Sequence, residues 1–167
     1  MDGQRKLYIP EQLYRKMLNH CREERPLEAC GLLIGVGEQV VSAYATDNEY
    51  RSPVLYKVDD RQLLQVVEEA HSRKQDIVAI YHSHVRSAPI PSQTDIKQAT
   101  WPEAFYLIVS LAYRNPQVRA WRIVDKQVTE HPVVIQRGAT GDWHDLRQAV
   151  RAAEQMRQRE MQNREAT

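Results

Sequence analysis

The sequence lacks several features that would assign it to a specialised class of protein. It has only two cysteines, Cys21 and Cys30, which excludes a disulfide framework and makes reduced thiols in a cytoplasmic protein the default expectation. No apolar run approaches the ~20 residues of a membrane-spanning helix. The N-terminal residues lack the apolar segment of a secretory signal peptide. We therefore expect neither a membrane protein nor a disulfide-rich secreted domain.

The sequence also has no large excess of positive or negative charge. The net charge of +1 gives no general electrostatic reason to expect a nucleic-acid or membrane partner. Arginines are frequent near the C-terminus, but acidic residues interrupt them, so RNA binding by this tail is unsupported. The 167 residues, 42% of them apolar, suit one globular domain with a proper core.

Hydrophobic periodicity predicts a mixed sheet covered by helices, a mixed α+β fold. Amphipathic helices are expected at 11–24, before Pro26, and from Asp59-Asp60 to about Lys74. A shorter helix is expected at 92–99. Strands are expected at 31–36, 39–45, 54–58, 77–84, 104–111, 118–124 and 127–135. Strands outnumber helices, yet helices lie between them, which favours a mixed sheet with helical layers.

The C-terminal part has a different pattern. Residues 136–141 are predicted to be a linker because they include two glycines. A last amphipathic helix is predicted from its apolar positions Trp143, Leu146, Val150, Ala153 and Met156. This helix either packs against the domain or contacts another molecule, a homodimer partner included. The chain is thus divided into a domain at 1–135 and a linker with a helix at 136–167.

Candidate metal ligands follow the strand at 77–84. His82 and His84 are two residues apart, so both imidazoles lie on one face, while Tyr81 and Ser83 point away and pack or orient neighbours. Asp95 lies in the first turn of the helix that follows. Two imidazoles and one carboxylate, with the fourth position left to water, are the ligand set of a catalytic zinc ion.

Each fragment of this pattern also has an ordinary explanation. A single histidine is usually a surface or core residue, and Ser92-x-x-Asp95 is often only a helix cap. His20, His71, His131 and His144 lack ligand-like neighbours and are expected at the surface. Cys30 is expected to be a small buried hydrophobe rather than a ligand. The conjunction of fragments, not any one of them, indicates a metal site.

The motif His82-x-His84, seven residues, then Ser92-x-x-Asp95 resembles the JAMM (MPN+) motif of zinc-dependent deubiquitinase-like proteases. The family has a glutamate before a glycine-rich hydrophobic strand, and Glu28 precedes such a strand here. The resemblance covers roughly residues 9–135. It departs at Val85, where members often have proline, and this change removes no ligand.

The resemblance implies a curved mixed sheet flanked by helices, akin to the cytidine deaminase architecture, and a role for each motif residue. One zinc ion would be held by His82, His84 and Asp95, with its bound water as the nucleophile. Glu28 would act as general base and then general acid. Ser92 would donate a hydrogen bond to the oxyanion. No further cofactor is expected.

The resemblance also implies the substrate. Family members cut after the C-terminal Gly-Gly of ubiquitin-fold proteins, whose tail lies extended in the cleft. This chain lacks the long insertions of the eukaryotic enzymes and is more similar to stand-alone prokaryotic members, which act on ubiquitin-like sulfur-carrier proteins. The residues leave open whether the bond is a peptide, an isopeptide or a cysteine adduct.

Other functions remain open at this stage. A catalytically silent MPN scaffold would usually have lost ligands, and here all five motif residues are present. Two histidines and a carboxylate also form the triad of non-haem iron oxygenases, although no jelly-roll-like strand series is predicted. A zinc deaminase is disfavoured because the sequence has no Pro-Cys-x-x-Cys pair.

Overall fold

In a computed structural model, residues 4–166 are described, apart from the side chains at positions 149–151 and 153. Within this part of the chain nine strands form one sheet. The strands are β1 (Leu7–Pro10), β2 (Cys30–Val36), β3 (Gln39–Thr46), β4 (Asp76–His84), β5 (Phe105–Ser110), β6 (Gln117–Val124), β7 (Gln127–His131), β8 (Val133–Gln136) and β9 (Asp142–Asp145). The helices are α1 (Glu11–Glu24), α2 (Asp60–Ser72), α3 (Gln93–Gln98) and α4 (Gln148–Glu165).

The sheet is mixed, with β4 near its centre. The strand order is β7-β6-β5-β4-β2-β3-β1-β8, and β9 pairs with β3 beside this path. β4 runs parallel to β5 and antiparallel to β2. It is buried along almost its whole length, as expected of a strand that is covered on both faces.

Two apolar cores lie on the two faces of the sheet. Leu33, Ala79 and Phe105 belong to the core that also contains buried side chains of α1. Their neighbours in sequence, including Leu32 and Ile80, belong to the core that contains buried side chains of α2. The alternation of side chains along β2, β4 and β5 therefore separates the two layers. The predicted mixed α+β fold, a curved sheet with flanking helices, is confirmed. No helix in the described part of the chain is long and apolar enough to span a bilayer.

The predicted strand at 54–58 is wrong. The segment joins no strand, and only an isolated bridge links Val58 to Asn48. The side chain of Asn48 organises this loop instead, because its Nδ2 donates to the carbonyl of Leu55 at 2.8 Å and its Oδ1 accepts from the N–H of Lys57 at 3.1 Å. We call residues 47–59 the 47–59 loop.

The single predicted strand at 127–135 is also wrong. It is two strands, because Pro132 has no N–H to donate to the ladder. β7 pairs with β6, whereas β8 pairs in parallel with β1, Leu7 opposite Val133. β1 was not expected from the sequence, since its four residues give too short a pattern and β8, with which it pairs along its whole length, lies more than a hundred residues away.

The predicted helix start at Trp143 is wrong as well, since residues 142–145 form β9, paired in parallel with β3. His144 stacks on Tyr44 at 4.5 Å between ring centroids. Gly141 is not a linker glycine, because a Cβ there would lie 2.5 Å from Cδ1 of Leu13.

The contacts of α4 remain largely a prediction. Val150 and Ala153, two of the apolar positions that defined the predicted helix, lie outside the described side chains. The side chains described from position 154 onward are exposed, Met156 among them. The division of the chain at residue 135 and contact with a second copy both stay predictions.

Candidate metal centre and catalytic site

The end of β4 presents two imidazoles on one face of the sheet. His82 and His84 alternate with Tyr81 and Ser83, as the two-residue period of a strand requires. Tyr81 lies in the core on the α1 side, and Ser83 Oγ accepts a hydrogen bond from the N–H of Ala29 at 2.8 Å. The Nε2 atoms of the two histidines are 3.1 Å apart. The structure therefore brings the two predicted imidazoles together.

The first turn of α3 brings a carboxylate to the same point. Ser92 Oγ accepts from the N–H of Asp95 at 3.0 Å, and the N–H of Ser92 donates to Oδ2 of Asp95 at 2.9 Å. This capping box fixes the carboxylate. The same Oδ2 lies 3.2 Å from Nε2 of His82 and 3.0 Å from Nε2 of His84. Among the described residues these three side chains form a group able to hold a metal ion.

Hydrogen bonding at His84 makes this group suited to a cation. Nδ1 of His84 lies 2.8 Å from the carbonyl oxygen of Ala88, which can only accept, so Nδ1 carries the proton. In the neutral ring Nε2 then carries no proton, and its lone pair points at Oδ2 of Asp95, 3.0 Å away. Two lone pairs directed at each other repel unless a proton or a metal ion lies between them. The donor set of two imidazoles and one carboxylate fits zinc.

The charge states also favour cation binding. Burial raises the pKa of Asp95, but the hydrogen bonds with His82 and His84 outweigh this effect and hold the pKa well below its usual range. Burial lowers the pKa of His82 and so favours the neutral ring that a metal requires. Burial acts in the same direction on His84, but its bonds to Asp95 and Ala88 raise the pKa overall. An ionised carboxylate thus faces one neutral and one easily protonated imidazole.

Glu28 lies on the segment that leads into β2. Its N–H donates to the carbonyl of Ser52 at 2.9 Å, and its carbonyl accepts from Nδ2 of Asn48 at 3.1 Å. The side chain is only 4% exposed, and its Oε2 has no hydrogen-bond partner among the described residues. Burial raises the pKa of Glu28 to about 7, with a smaller contribution from the charge of Asp95. Such a carboxyl group can accept and release a proton near neutral pH.

One cavity joins these groups. Glu28, His84 and Ser92 line a cleft of about 590 Å³ between the segment before β2, the 47–59 loop and the loop after β4. Because Ser92 Oγ already accepts from the N–H of Asp95, its own hydroxyl proton is left to donate. Glu28 and Ser92 therefore share a cleft with His84, one of the three side chains that converge as a possible metal site.

Residues 10–124 match the family model described as prokaryotic homologues of the JAB domain. The chain belongs to this family. It is 39% identical over 132 residues to a CysO-cysteine peptidase of Mycobacterium tuberculosis. The aligned region covers 76% of this chain and 89% of that protein. It is 30% identical over 132 residues to a desampylase of Pyrococcus furiosus, covering 78% and 91%. A solution structure of a Desulfitobacterium hafniense protein is similar with a TM-score of 0.70 at 29% identity, covering 81% and 95%.

In this JAB domain the 47–59 loop contributes a side chain that the sequence motif does not include. The ring of Tyr56 stacks on His82 with centroids 4.1 Å apart and planes 16° from parallel. Nδ1 of His82 is buried without a hydrogen-bond partner among the described residues, unlike Nδ1 of His84. Stacking thus holds the His82 ring where a second hydrogen bond would usually do so. No spacing rule in the sequence connects Tyr56 with His82.

Two other side chains of the JAB domain, Cys30 and His20, test expectations about burial, and only the first expectation is confirmed. Cys30 is buried, as expected, and its Sγ donates to the carbonyl of Asp47 at 3.4 Å. Burial raises the pKa of its thiol to about 12, and Cys30 is not among the described side chains that converge as a possible metal site. The expectation that His20 is a surface residue is wrong. It is 1% exposed on the apolar face of α1, and its Nδ1 lies 2.6 Å from the hydroxyl of Tyr81.

Proposed function

We propose that this JAB-domain protein is a zinc-dependent peptidase that cleaves the bond after the C-terminal Gly-Gly of a ubiquitin-like, sulfur-carrier-type protein. One observation carries the proposal. Two imidazole nitrogens and one carboxylate oxygen converge beside a cleft that also contains the buried carboxyl of Glu28. This set of groups is what hydrolysis of an amide requires.

His82, His84 and Asp95 are the residues that would hold zinc. When bound there, zinc supplies a Lewis acid and a water whose pKa is lowered to about 7. The chain's own contribution is to fix the three ligands. The capping box orients Asp95, the Ala88 carbonyl orients His84, and Tyr56 orients His82.

Glu28 carries the proton. A carboxylate at Oε2 takes a proton from the attacking water, and the carboxylic acid then gives it to the nitrogen of the leaving amine. A pKa of about 7 lets both forms exist at neutral pH. Leu27 and Val54 give the cleft around this carboxyl apolar walls.

Ser92 acts on the other side of the reacting carbonyl. Its hydroxyl donates a hydrogen bond to the oxygen that becomes negatively charged when water adds to the carbonyl carbon. Because the helix cap holds Oγ in place, this donor needs no reorganisation during the reaction.

The substrate class is supported by the relatives. One is named for a cysteine adduct of CysO, and the other is named a desampylase. We extend to this chain a tail that ends in Gly-Gly, as the resemblance implies. A cytoplasmic location is proposed with it, since Cys21 and Cys30 are both free thiols.

The two competing functions make different predictions. A silent scaffold has no need of a complete ligand set, yet His82, His84 and Asp95 converge on one point. An iron oxygenase would use the same ligands, but it has no role for a buried Glu28. Elemental analysis of protein purified without added metal separates them, because iron together with oxygen consumption would support the oxygenase.

Mass spectrometry tests the proposal directly. A small ubiquitin-fold protein extended beyond Gly-Gly is incubated with the zinc-loaded protein and with a control variant, Glu68→Gln, altered on the exposed side of α2. We expect both to yield a product that ends at Gly-Gly. If a panel of ubiquitin-like and sulfur-carrier substrates stays intact with zinc bound, the proposed activity is wrong.

A further inference from the structure

One asparagine, Asn48, has its side-chain amide bonded only to main-chain groups. Its Nδ2 donates to the carbonyl of Glu28 at 3.1 Å and to the carbonyl of Leu55 at 2.8 Å. Its Oδ1 accepts from the N–H groups of Tyr50 and Lys57, at 3.1 Å each. An amide side chain offers two N–H donors and two lone pairs, so every hydrogen-bonding position of this side chain is occupied.

Two of these bonds fix the main chain on both sides of Tyr56. The carbonyl of Leu55 directly precedes Tyr56, and the N–H of Lys57 directly follows it. Residues 51–57 belong to no helix and no strand, so regular structure does not hold the tyrosine in place. The position of its ring, stacked on His82 with centroids 4.1 Å apart, therefore depends on the bonds from Asn48.

Another of these bonds fixes the main chain of Glu28. The N–H of the same residue donates to the carbonyl of Ser52, also in the 47–59 loop, at 2.9 Å. The next residue, Ala29, is held by β4, because its N–H donates to Oγ of Ser83 at 2.8 Å and its carbonyl accepts from the N–H of Ser83 at 3.0 Å. Oε2 of Glu28 has no hydrogen-bond partner among the described residues, so the placement of this oxygen depends on the main chain.

We infer that Asn48 is a positioning residue that holds the main chain of Glu28 and the two neighbours of Tyr56 in one arrangement. It acts through these two residues. The link to Tyr56 orients the ring of His82 for zinc, and the link to Glu28 keeps the carboxyl in place for proton transfer. The second link rests on the proposed function, whereas the first concerns metal binding alone.

Zinc affinity tests the link to Tyr56 without any substrate. We expect Asn48→Ala to weaken zinc binding about tenfold, to the same degree as Tyr56→Leu. Because both changes release the same ring, the double variant should bind zinc within about twofold of either single variant. Competition with a chromogenic chelator gives the affinities. The control is Asp59→Ala, which removes two hydrogen bonds to main-chain N–H groups at the end of the same loop and should bind zinc like the wild type.

Turnover with zinc saturated tests the link to Glu28. We expect kcat for cleavage after Gly-Gly to fall about 10–10²-fold in Asn48→Ala, with KM changed less than about twofold, because a displaced proton carrier slows the chemical step. Asp59→Ala should keep the wild-type kcat.

Asn48→Asp separates the two links. One of its oxygens still accepts from the N–H of Lys57, whereas the other cannot donate to the carbonyl of Glu28. We expect it to recover part of the zinc affinity and none of the kcat. A loss of stability alone would lower both quantities together. If Asn48→Ala fails to fold, Asn48→Asp is compared with the wild type in both measurements.

The possible failures are distinguishable. Unchanged zinc affinity in Asn48→Ala, or losses that multiply in the double variant with Tyr56→Leu, overturns the link to Tyr56. A kcat within about twofold of the wild type in Asn48→Asp, or an equal fall in Asp59→Ala, overturns the link to Glu28. If the zinc-loaded wild type cuts no substrate, the proposed function itself is wrong, and the zinc affinities still decide whether Asn48 acts through Tyr56.

Discussion

Glu28 is a carboxyl group that the fold keeps out of water without giving Oε2 a hydrogen-bond partner among the described residues. Burial raises its pKa from 4.5 to about 7. Since the folded protein then holds this proton more tightly than the unfolded chain, the contribution of Glu28 to stability is fully present below pH 4.5 and is lost as the pH rises through 7. The protonation of Glu28 therefore contributes least to the free energy of unfolding at neutral pH and above, the range in which the site would work.

This gives a prediction for the metal-free protein. Glu28→Gln removes the titrating group, so we expect it to be more stable than the wild type by about 2 kcal/mol at pH 8, with little difference near pH 5. Urea unfolding at several pH values measures this, with exposed Glu68→Gln as the control. A stability difference that does not depend on pH would contradict the assigned pKa.

Tyr56 is the residue for which the sequence provided no signal. The convergence of the proposed metal ligands was predictable because it depends on local rules: strand alternation for His82 and His84, and a capping box for Asp95. The stacking of Tyr56 on His82 depends instead on how an irregular loop folds over the sheet. Local sequence patterns do not encode that contact.

We expect Tyr56→Leu to weaken zinc binding about tenfold, because the His82 ring loses the group that orients it. Tyr56→Phe keeps the stacked ring and should bind zinc like the wild type. Competition with a chromogenic chelator gives the affinities. Tyr50→Leu serves as the control, because Tyr50 lines the same cavity of about 400 Å³ as Tyr56 but does not stack on a histidine. Unchanged affinity in Tyr56→Leu would mean that the stacking is incidental.

At the scale of elements, Ser92 caps α3 and is also the proposed oxyanion donor. Loss of a cap costs about 1 kcal/mol, whereas loss of an oxyanion donor lowers kcat about 10²–10³-fold. We expect Ser92→Ala to retain zinc and most of its stability but to lose turnover by about that factor. The comparison is Asp59→Ala, which removes the side-chain cap of α2. A similar loss of kcat in both variants would reduce Ser92 to a structural role.

The elements that the sequence predicted correctly are those with long periodic patterns. α1, α2, β4 and β5 each have an apolar face or a buried run that propensity and burial specify together. Apart from the strand predicted at 54–58, which is a loop, the errors are at β1, β8 and β9. These four-residue strands pair in parallel with strands distant in sequence, Leu7 with Val133 and Ser42 with Asp142. A short segment gains its strand conformation from such a partner, which a single sequence does not display.

For the whole molecule, Arg147 connects the end of the sheet to the first helix. It is 5% exposed and bonds Glu24 and Glu23 of α1 at 2.9 Å each, as well as Asp145 of β9. Removing one partner of a buried ion pair is more costly than losing an exposed one. We expect Arg147→Met to lower the free energy of unfolding by about 2–4 kcal/mol. Urea unfolding checks this, and a loss below about 0.5 kcal/mol, as for exposed Arg15→Met, would contradict it.

The central claim is that this JAB domain separates metal binding, assigned to His82, His84 and Asp95, from proton transfer, assigned to Glu28. One comparison tests it most directly: zinc content and cleavage after Gly-Gly, measured on the same preparations of wild type and Glu28→Gln. We predict one zinc ion per chain in both, with turnover only in the wild type. Full turnover by zinc-loaded Glu28→Gln, or loss of zinc from that variant, would contradict the account.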